Sequence, residues 1–170
     1  MAKLPRKALM HYIDASFSDN TAQNWAPTWF LIGKDVEDMS VELNSDTEQT
    51  TNILDETTTT DNGYKPTISV DTYKANPSDD DFYDKIVDIM MNRKTGDASK
   101  TTILEVIVED TSDSSHSAWI EDVIVKPNSY GGPTGAISIP YTISFDGNRK
   151  AGTVALSSAK PPVPTFTATT

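Results

Sequence analysis

Cysteine is absent from all 170 residues, which removes disulfide frameworks, thiolate zinc sites and cysteine nucleophiles together. Histidine occurs only twice, too few for a multi-histidine metal centre. No apolar run approaches the roughly 20 residues that a membrane span requires. The first residues also lack the apolar core of a secretory signal. Bases are scarce: 14 Lys and Arg stand against 25 Asp and Glu, giving a net charge of −11 and a pI near 4.4. Such a chain does not bind nucleic acid by neutralising phosphates, because that mechanism needs clustered Lys and Arg. Any DNA it handles is DNA it must not hold.

What is present fits one domain, since roughly 100–200 residues per domain is usual and a chain of this size buries enough surface to need no staple. Charge is distributed unevenly. Asp35, Glu37, Asp38, Glu42, Asp46, Glu48, Asp55, Glu56 and Asp61 are nine acids in a stretch without one base, whereas the N-terminal stretch carries Lys3, Arg6 and Lys7. Residues 1–27 read as an N-terminal arm with one strand near 9–15, residues 28–157 as the domain proper, and residues 158–170, rich in proline and threonine, as a flexible tail.

Alternation within 28–157 predicts strands. Trp29–Ile32 is a short apolar run between Pro27 and Gly33. Val41 and Leu43 alternate with Ser40 and Glu42, and Ile68 and Val70 alternate with Ser69 and Asp71, so Glu42 and Asp71 fall on the face opposite the apolar one. Thr101–Glu109, Ala118–Lys126 and Ile137–Phe145 continue the pattern. In the last of these, Ser138, Thr142 and Ser144 oppose Ile139, Tyr141 and Ile143. Asp146-Gly147-Asn148 reads as a hairpin turn into a strand at Ala151–Leu156. One helix is predicted over about 79–94. Ser78 is its N-cap, Asp79, Asp80 and Asp81 sit on the positive end of its dipole, Arg93 and Lys94 on the other, and Gly96 terminates it. Seven or eight strands with one flanking helix make a mainly β fold, a sandwich or barrel.

No constellation for catalysis emerges. The acidic triplet Asp79–Asp81 lacks the ligand spacing of a calcium loop and is explained by helix capping. Asp110-Thr-Ser-Asp-Ser-Ser-His116 contains the residue types of a hydrolase triad, but neighbours along one turn cannot adopt its geometry. Gly131-Gly-Pro-Thr-Gly135 is followed by a strand and no Lys-Ser/Thr, so it is not a phosphate loop. Of Trp25, Trp29 and Trp119, two lie in apolar strand contexts, which favours core over a sugar-binding platform. The chain reads as a non-enzyme without metal or cofactor.

The oddity is the stretch 44–62, whose apolar residues are Ile53 and Leu54 alone. Ordering nineteen residues costs on the order of 20–40 kcal/mol, while burying two aliphatic side chains returns only about 3–6 kcal/mol. This loop is therefore expected to be mobile alone and to order against a neighbour.

Asn44-Ser-Asp-Thr-Glu-Gln-Thr-Thr-Asn-Ile-Leu54, Pro66-Thr-Ile-Ser-Val-Asp-Thr-Tyr73, the Asp-rich helix start, Ala118-Trp-Ile-Glu-Asp-Val-Ile-Val125, Tyr130-Gly-Gly-Pro-Thr-Gly-Ala-Ile-Ser-Ile-Pro-Tyr141 and Phe145-Asp-Gly-Asn-Arg-Lys-Ala-Gly-Thr153 together resemble the tail tube (major tail) proteins of long-tailed bacteriophages. The likeness spans about Lys34 to Leu156. It implies a β-sandwich or barrel subunit that forms hexameric rings, which stack into a hollow tube around a tape-measure protein and later conduct DNA. It implies further partners in tail-tip and tail-terminator proteins, assembly in the host bacterial cytoplasm, and residence in the virion. It also implies that loop 44–62, through Asp46, Glu48, Ile53, Leu54 and Asp55, contacts the adjacent ring, and that Glu42, Asp71, Ser138, Thr142 and Ser144 face the lumen. Two other readings of the chain are a carbohydrate-binding or adhesin-type β-sandwich and a secretion-system tube ring.

Overall fold

Alternation calls for a sheet with one wet and one dry face, and the chain builds one whose second face is also dry at one end. The computed structural model describes residues 2–79 and 81–170; Asp80, expected in the helix start, and Met1, expected in the arm, lie outside the described residues. The strands are β1 (Leu9–Asp14), β2 (Trp29–Ile32), β3 (Val41–Glu42), β4 (Thr47–Thr51), β5 (Thr57–Asp61), β6 (Thr67–Val70), β7 (Lys100–Ile107), β8 (His116–Pro127), β9 (Tyr141–Leu156) and β10 (Pro164–Ala168), with one α-helix, α1 (Asp81–Met91). Eight strands form one antiparallel sheet in the order β2-β1-β7-β8-β9-β6-β3, with β10 on β9, and it curls into a half-barrel; β4 and β5 form a separate ribbon. The mainly β fold with one flanking helix is as expected.

Helix α1 covers one face. Phe82, Ile86 and Met90 pack with Ile13, Ile68, Val70, Ile103, Val123, Val125, Tyr141 and Ile143, and each such side chain contributes about 1.5–3 kcal/mol by leaving water. Phe30 of β2 stacks flat on Phe82, centroids 4.2 Å apart. The opposite face is apolar at one end only, where Tyr12, Leu104, Val106, Ala118, Ile120 and Val154 cluster under Trp25, Leu156 and Phe166.

Several expectations are corrected. The helix ends at Met91 and is closed by Arg93 rather than Gly96: Arg93 adopts φ 52°, and the Lys94 amide donates to the Ile89 carbonyl at 3.1 Å, a Schellman closure. At the other end the Ser78 amide donates to Asn76 Oδ1, so Asn76 and not Ser78 supplies the capping oxygen of the preceding 3-10 turn Pro77–Asp79. Asp146-Gly147-Asn148 is not a hairpin. It lies inside the single strand β9, which pairs with β8 on both sides of a register shift. Gly147 (φ 91°) and Asn148 (φ 58°) supply the left-handed residues that a bulge and a tight turn both require, which is why the tripeptide reads as either. A bulge adds twist, in keeping with the curl of the sheet.

Two terminal regions are built into the sheet. The strand expected near 9–15 is β1, an interior strand between β2 and β7 rather than part of a free arm. The tail is not wholly free: Pro164–Ala168 pairs with Gly152–Leu156 of β9, and the Tyr12 hydroxyl donates to the Pro162 carbonyl at 3.1 Å. Residues 137–140 precede β9 instead of belonging to it, and Ile137 and Leu43, expected on the apolar face, are each more than half exposed.

Candidate assembly surfaces

The stretch 44–62 is an ordered hairpin rather than a structureless loop. Thr47–Thr51 pairs in register with Thr57–Asp61, and every residue of both strands is exposed. Its threonines carry β propensity without an apolar period, which is why alternation did not reveal it. The turn is organised by Asn52, whose Oδ1 accepts from the Leu54 and Glu56 amides at 2.8 and 3.1 Å, with Asp55 at φ 61°. The root is tied by mutual amide–carbonyl bonds of Asp46 with Asn62 and Gly63 and by Lys65 to the Asp46 carboxylate at 3.4 Å. Glu48 stands opposite Thr60 on the flank. Ile53 is 100% and Leu54 73% exposed at the tip. An isolated two-stranded ribbon is marginal in water, and two aliphatic side chains held out at its end have nothing to gain there.

The five residues assigned to the lumen divide. Register places Glu42 opposite Thr67, Thr67 opposite Ser144, Ser144 opposite Ile124 and Ile124 opposite Lys100. The next row joins Ser69, Thr142 and Lys126. Glu42, Thr142 and Ser144 thus share the bare end of the sheet face that α1 does not cover. Asp71 lies one residue beyond β6 and Ser138 is held in isolated bridges to Lys74 and Gly131, so neither joins that ladder.

This patch also carries two lysines that single-strand alternation did not bring together with the acids. Both are engaged inside the chain. Lys100 Nζ lies 3.1 Å from Asp146 and 4.0 Å from Asp122, and the hydrogen bond and charge of Asp146 raise its pKa. Lys126 Nζ donates to the Lys94 carbonyl at 2.9 Å. The Thr142 hydroxyl accepts from Asn128 at 2.9 Å.

A second missed cluster lies on the helix-side face past the end of α1. His11 Nε2 meets Glu105 at 3.0 Å, and Arg149 bridges Glu105 at 2.6 Å and Glu121 at 3.1 Å. Burial alone would raise the Glu105 pKa, but hydrogen bonds from His11 and Arg149 bring it below the ordinary value. His11 and Glu105 alone are separated by 94 positions, and only the β1–β7–β8–β9 register joins the cluster. Aromatic side chains are likewise internally committed: Trp25 and Trp29 pack edge to face at 5.8 Å, Trp25 Nε1 donates to Asp14 at 3.0 Å, and Arg149 lies over Trp119.

No protein-family model matches the sequence, and no curated protein matches it either. Solved structures do share its fold. The chain superposes on the PVC sheath/tube terminator of an extracellular contractile injection system in its extended state, with TM-score 0.54 and 11% identity over 89% of this chain and 97% of that one. It also superposes on a chain from the tail of an empty GTA particle with C6 symmetry, with TM-score 0.53 and 13% identity over 98% of this chain and 100% of that one. The fold is thus of the class found in phage-tail-like assemblies.

Proposed function

We propose that this protein is a structural subunit of a phage-like tail, forming hexameric rings that stack into a tube around a tape measure and pass DNA without holding it. The observation that carries this reading is the hairpin: a ribbon with no core of its own, projecting Ile53 and Leu54 into solvent from a sheet of the fold shared with tail and injection-system components. Asp55 stands at that tip, Glu48 on the flank and Asp46 at the root, and the hairpin is the ring-to-ring contact. Glu42, Thr142 and Ser144 line the lumen, with Asp71 and Ser138 at its margin. Its partners are further copies, tape measure, tail-tip and terminator proteins, and its place is the virion, after assembly in the host cytoplasm. Nothing in this role calls for catalysis.

A second reading follows from the match to a sheath/tube terminator: one ring closing the end of a tube rather than repeating along it. Electron microscopy of concentrated purified protein separates the two. Stacked tubes support the tube subunit, single rings that do not stack support the terminator, and a strict monomer, even with tail-tip or tape-measure partners present, refutes both.

A further inference from the structure

The hairpin springs from the β3–β6 rim of the sheet, whereas the other rim, at β2, carries a cavity of about 480 Å³. That volume lies within the roughly 300–1,000 Å³ of clefts that receive ligands. Its walls include Leu31, Val36 and Met39, its mouth includes Arg6 and Lys7, and His11 lines it. Glu37 is the one acid there. The guanidinium of Arg6 is fixed by donating to the Leu9 and Met39 carbonyls at 2.8 and 3.0 Å, and neither Arg6 nor Lys7 is paired with a carboxylate among the described residues.

His11 is 2% exposed, and its Nδ1 is buried without a hydrogen-bond partner among the described residues. An ionised Glu105 can only accept, so Nε2 carries a proton toward it, and Nδ1 is the ring atom left to be met from outside. The hairpin tip has an unused polar group of its own. The amides of Asn52, Leu54, Asp55 and Glu56 are all bonded within the turn, which leaves the Ile53 amide free beside the two aliphatic side chains and two carboxylates.

Resting on the stacking role proposed above, we infer that this cavity is the receptor for the hairpin tip of a second copy: Ile53 and Leu54 enter between Leu31, Val36 and Met39, and Asp55 and Glu56 meet Arg6 and Lys7. The tip does not fill its own cavity: Ile53 is 100% and Leu54 73% exposed, at the end of a ribbon that carries them roughly 20–25 Å from the hairpin root by strand rise. Donor and receptor are different patches, a heterologous contact that repeats from copy to copy. The neighbouring cavity between β2 and Thr72–Asn76 is larger, about 510 Å³, but sets Lys34 and Lys74 against Asp35 and Asp79 and offers an acidic tip no net attraction.

The cysteine-free chain makes the test direct. Ile53→Cys is combined with Leu9→Cys, which lines this cavity and not its neighbour, or with Lys74→Cys, which lines only the neighbour, and each protein is concentrated under mild oxidant and run without reductant. The first pair is expected to give a ladder of covalent oligomers and the second none. Arg6→Glu with Lys7→Glu should abolish the ladder and raise the concentration needed for filaments about tenfold, the scale of losing a close charge pair; adding Asp55→Lys with Glu56→Lys should restore both. Normal filaments without the Leu9→Cys ladder, or cross-linked through Lys74→Cys instead, overturn this receptor and leave the stacking role standing. Filaments that form despite Ile53→Asp and Leu54→Asp overturn both, and absence of any oligomer or ladder at high concentration also overturns the receptor.

Discussion

The ring of Phe166 occupies the space that a side chain on Gly152 would need: a Cβ at that position would lie 2.6 Å from two ring carbons and closer still to the Thr167 carbonyl oxygen. Gly152 is therefore what lets β10 lie on β9 and lets Phe166 reach the cluster of Tyr12, Leu104 and Ile120. Gly152→Ala should force that strand outward and destabilise the fold by about 1–3 kcal/mol, the usual cost of overpacking. Denaturant unfolding measures the loss, and hydrogen exchange should show it concentrated in 164–168. Unchanged protection of those amides would mean β10 is not seated on β9 as described.

The carboxylate of Glu105 joins buried His11 and the more exposed Arg149 in one network. Its folded pKa lies below the ordinary 4.5, so the sign is fixed: its contribution is present above the unfolded value and lost as pH falls through the lower folded value. Glu105→Gln should cost about 1–3 kcal/mol near neutrality and should flatten the acid limb of the stability curve. Equal slopes below pH 4.5 in the variant and the parent would show that another group governs that limb.

At the hairpin tip, by contrast, stability and assembly should separate. Ile53→Asp with Leu54→Asp removes no buried contact, so monomer unfolding should shift by no more than about 0.5 kcal/mol, the ordinary range for exposed positions. Stacking should fail. Calorimetry and micrographs of the same preparation test both halves, and normal tubes would reduce the hairpin to an ornament of the subunit.

How much of this was legible beforehand depends on whether burial left a period. Strand β6 announced itself because Ile68 and Val70 alternate with polar neighbours, and α1 because Phe82, Ile86 and Ile89 recur at helical spacing. The hairpin strands bury nothing, so their threonines leave no apolar rhythm. Asp146-Gly147-Asn148 specified left-handed backbone without saying whether the chain turns back or only bulges. Strand β10 depends on a distant glycine, and the His11–Glu105–Arg149 network and the receptor cavity depend on register between strands far apart in the chain. In the candidate lumen, alternation set Glu42, Thr142 and Ser144 on the wet face. That Lys100 and Lys126 share it needed the sheet order.

Those lysines define the last expectation. DNA passing such a face meets Glu42 and hydroxyls, while each cation is already answered by a group of the same chain. Lys100 is held by Asp122 and Asp146, and Lys126 by a carbonyl. A phosphate would have to displace an existing partner, so it finds no deep minimum. Asp146→Asn removes the nearer partner of Lys100 at an exposed position, and Glu42→Lys adds a cation in the same row. Neither change should cost more than about 0.5 kcal/mol of folding stability, because both sites are solvated. Together they should make assembled tubes retain duplex DNA at low salt, with retention falling steeply as salt rises, the signature of released counterions. In the proposed tube of six-fold rings each substitution would be repeated many times, so even weak single contacts should register in a sedimentation assay. Tubes of the double variant that stay as indifferent to DNA as the parent at low ionic strength would place this face away from the channel.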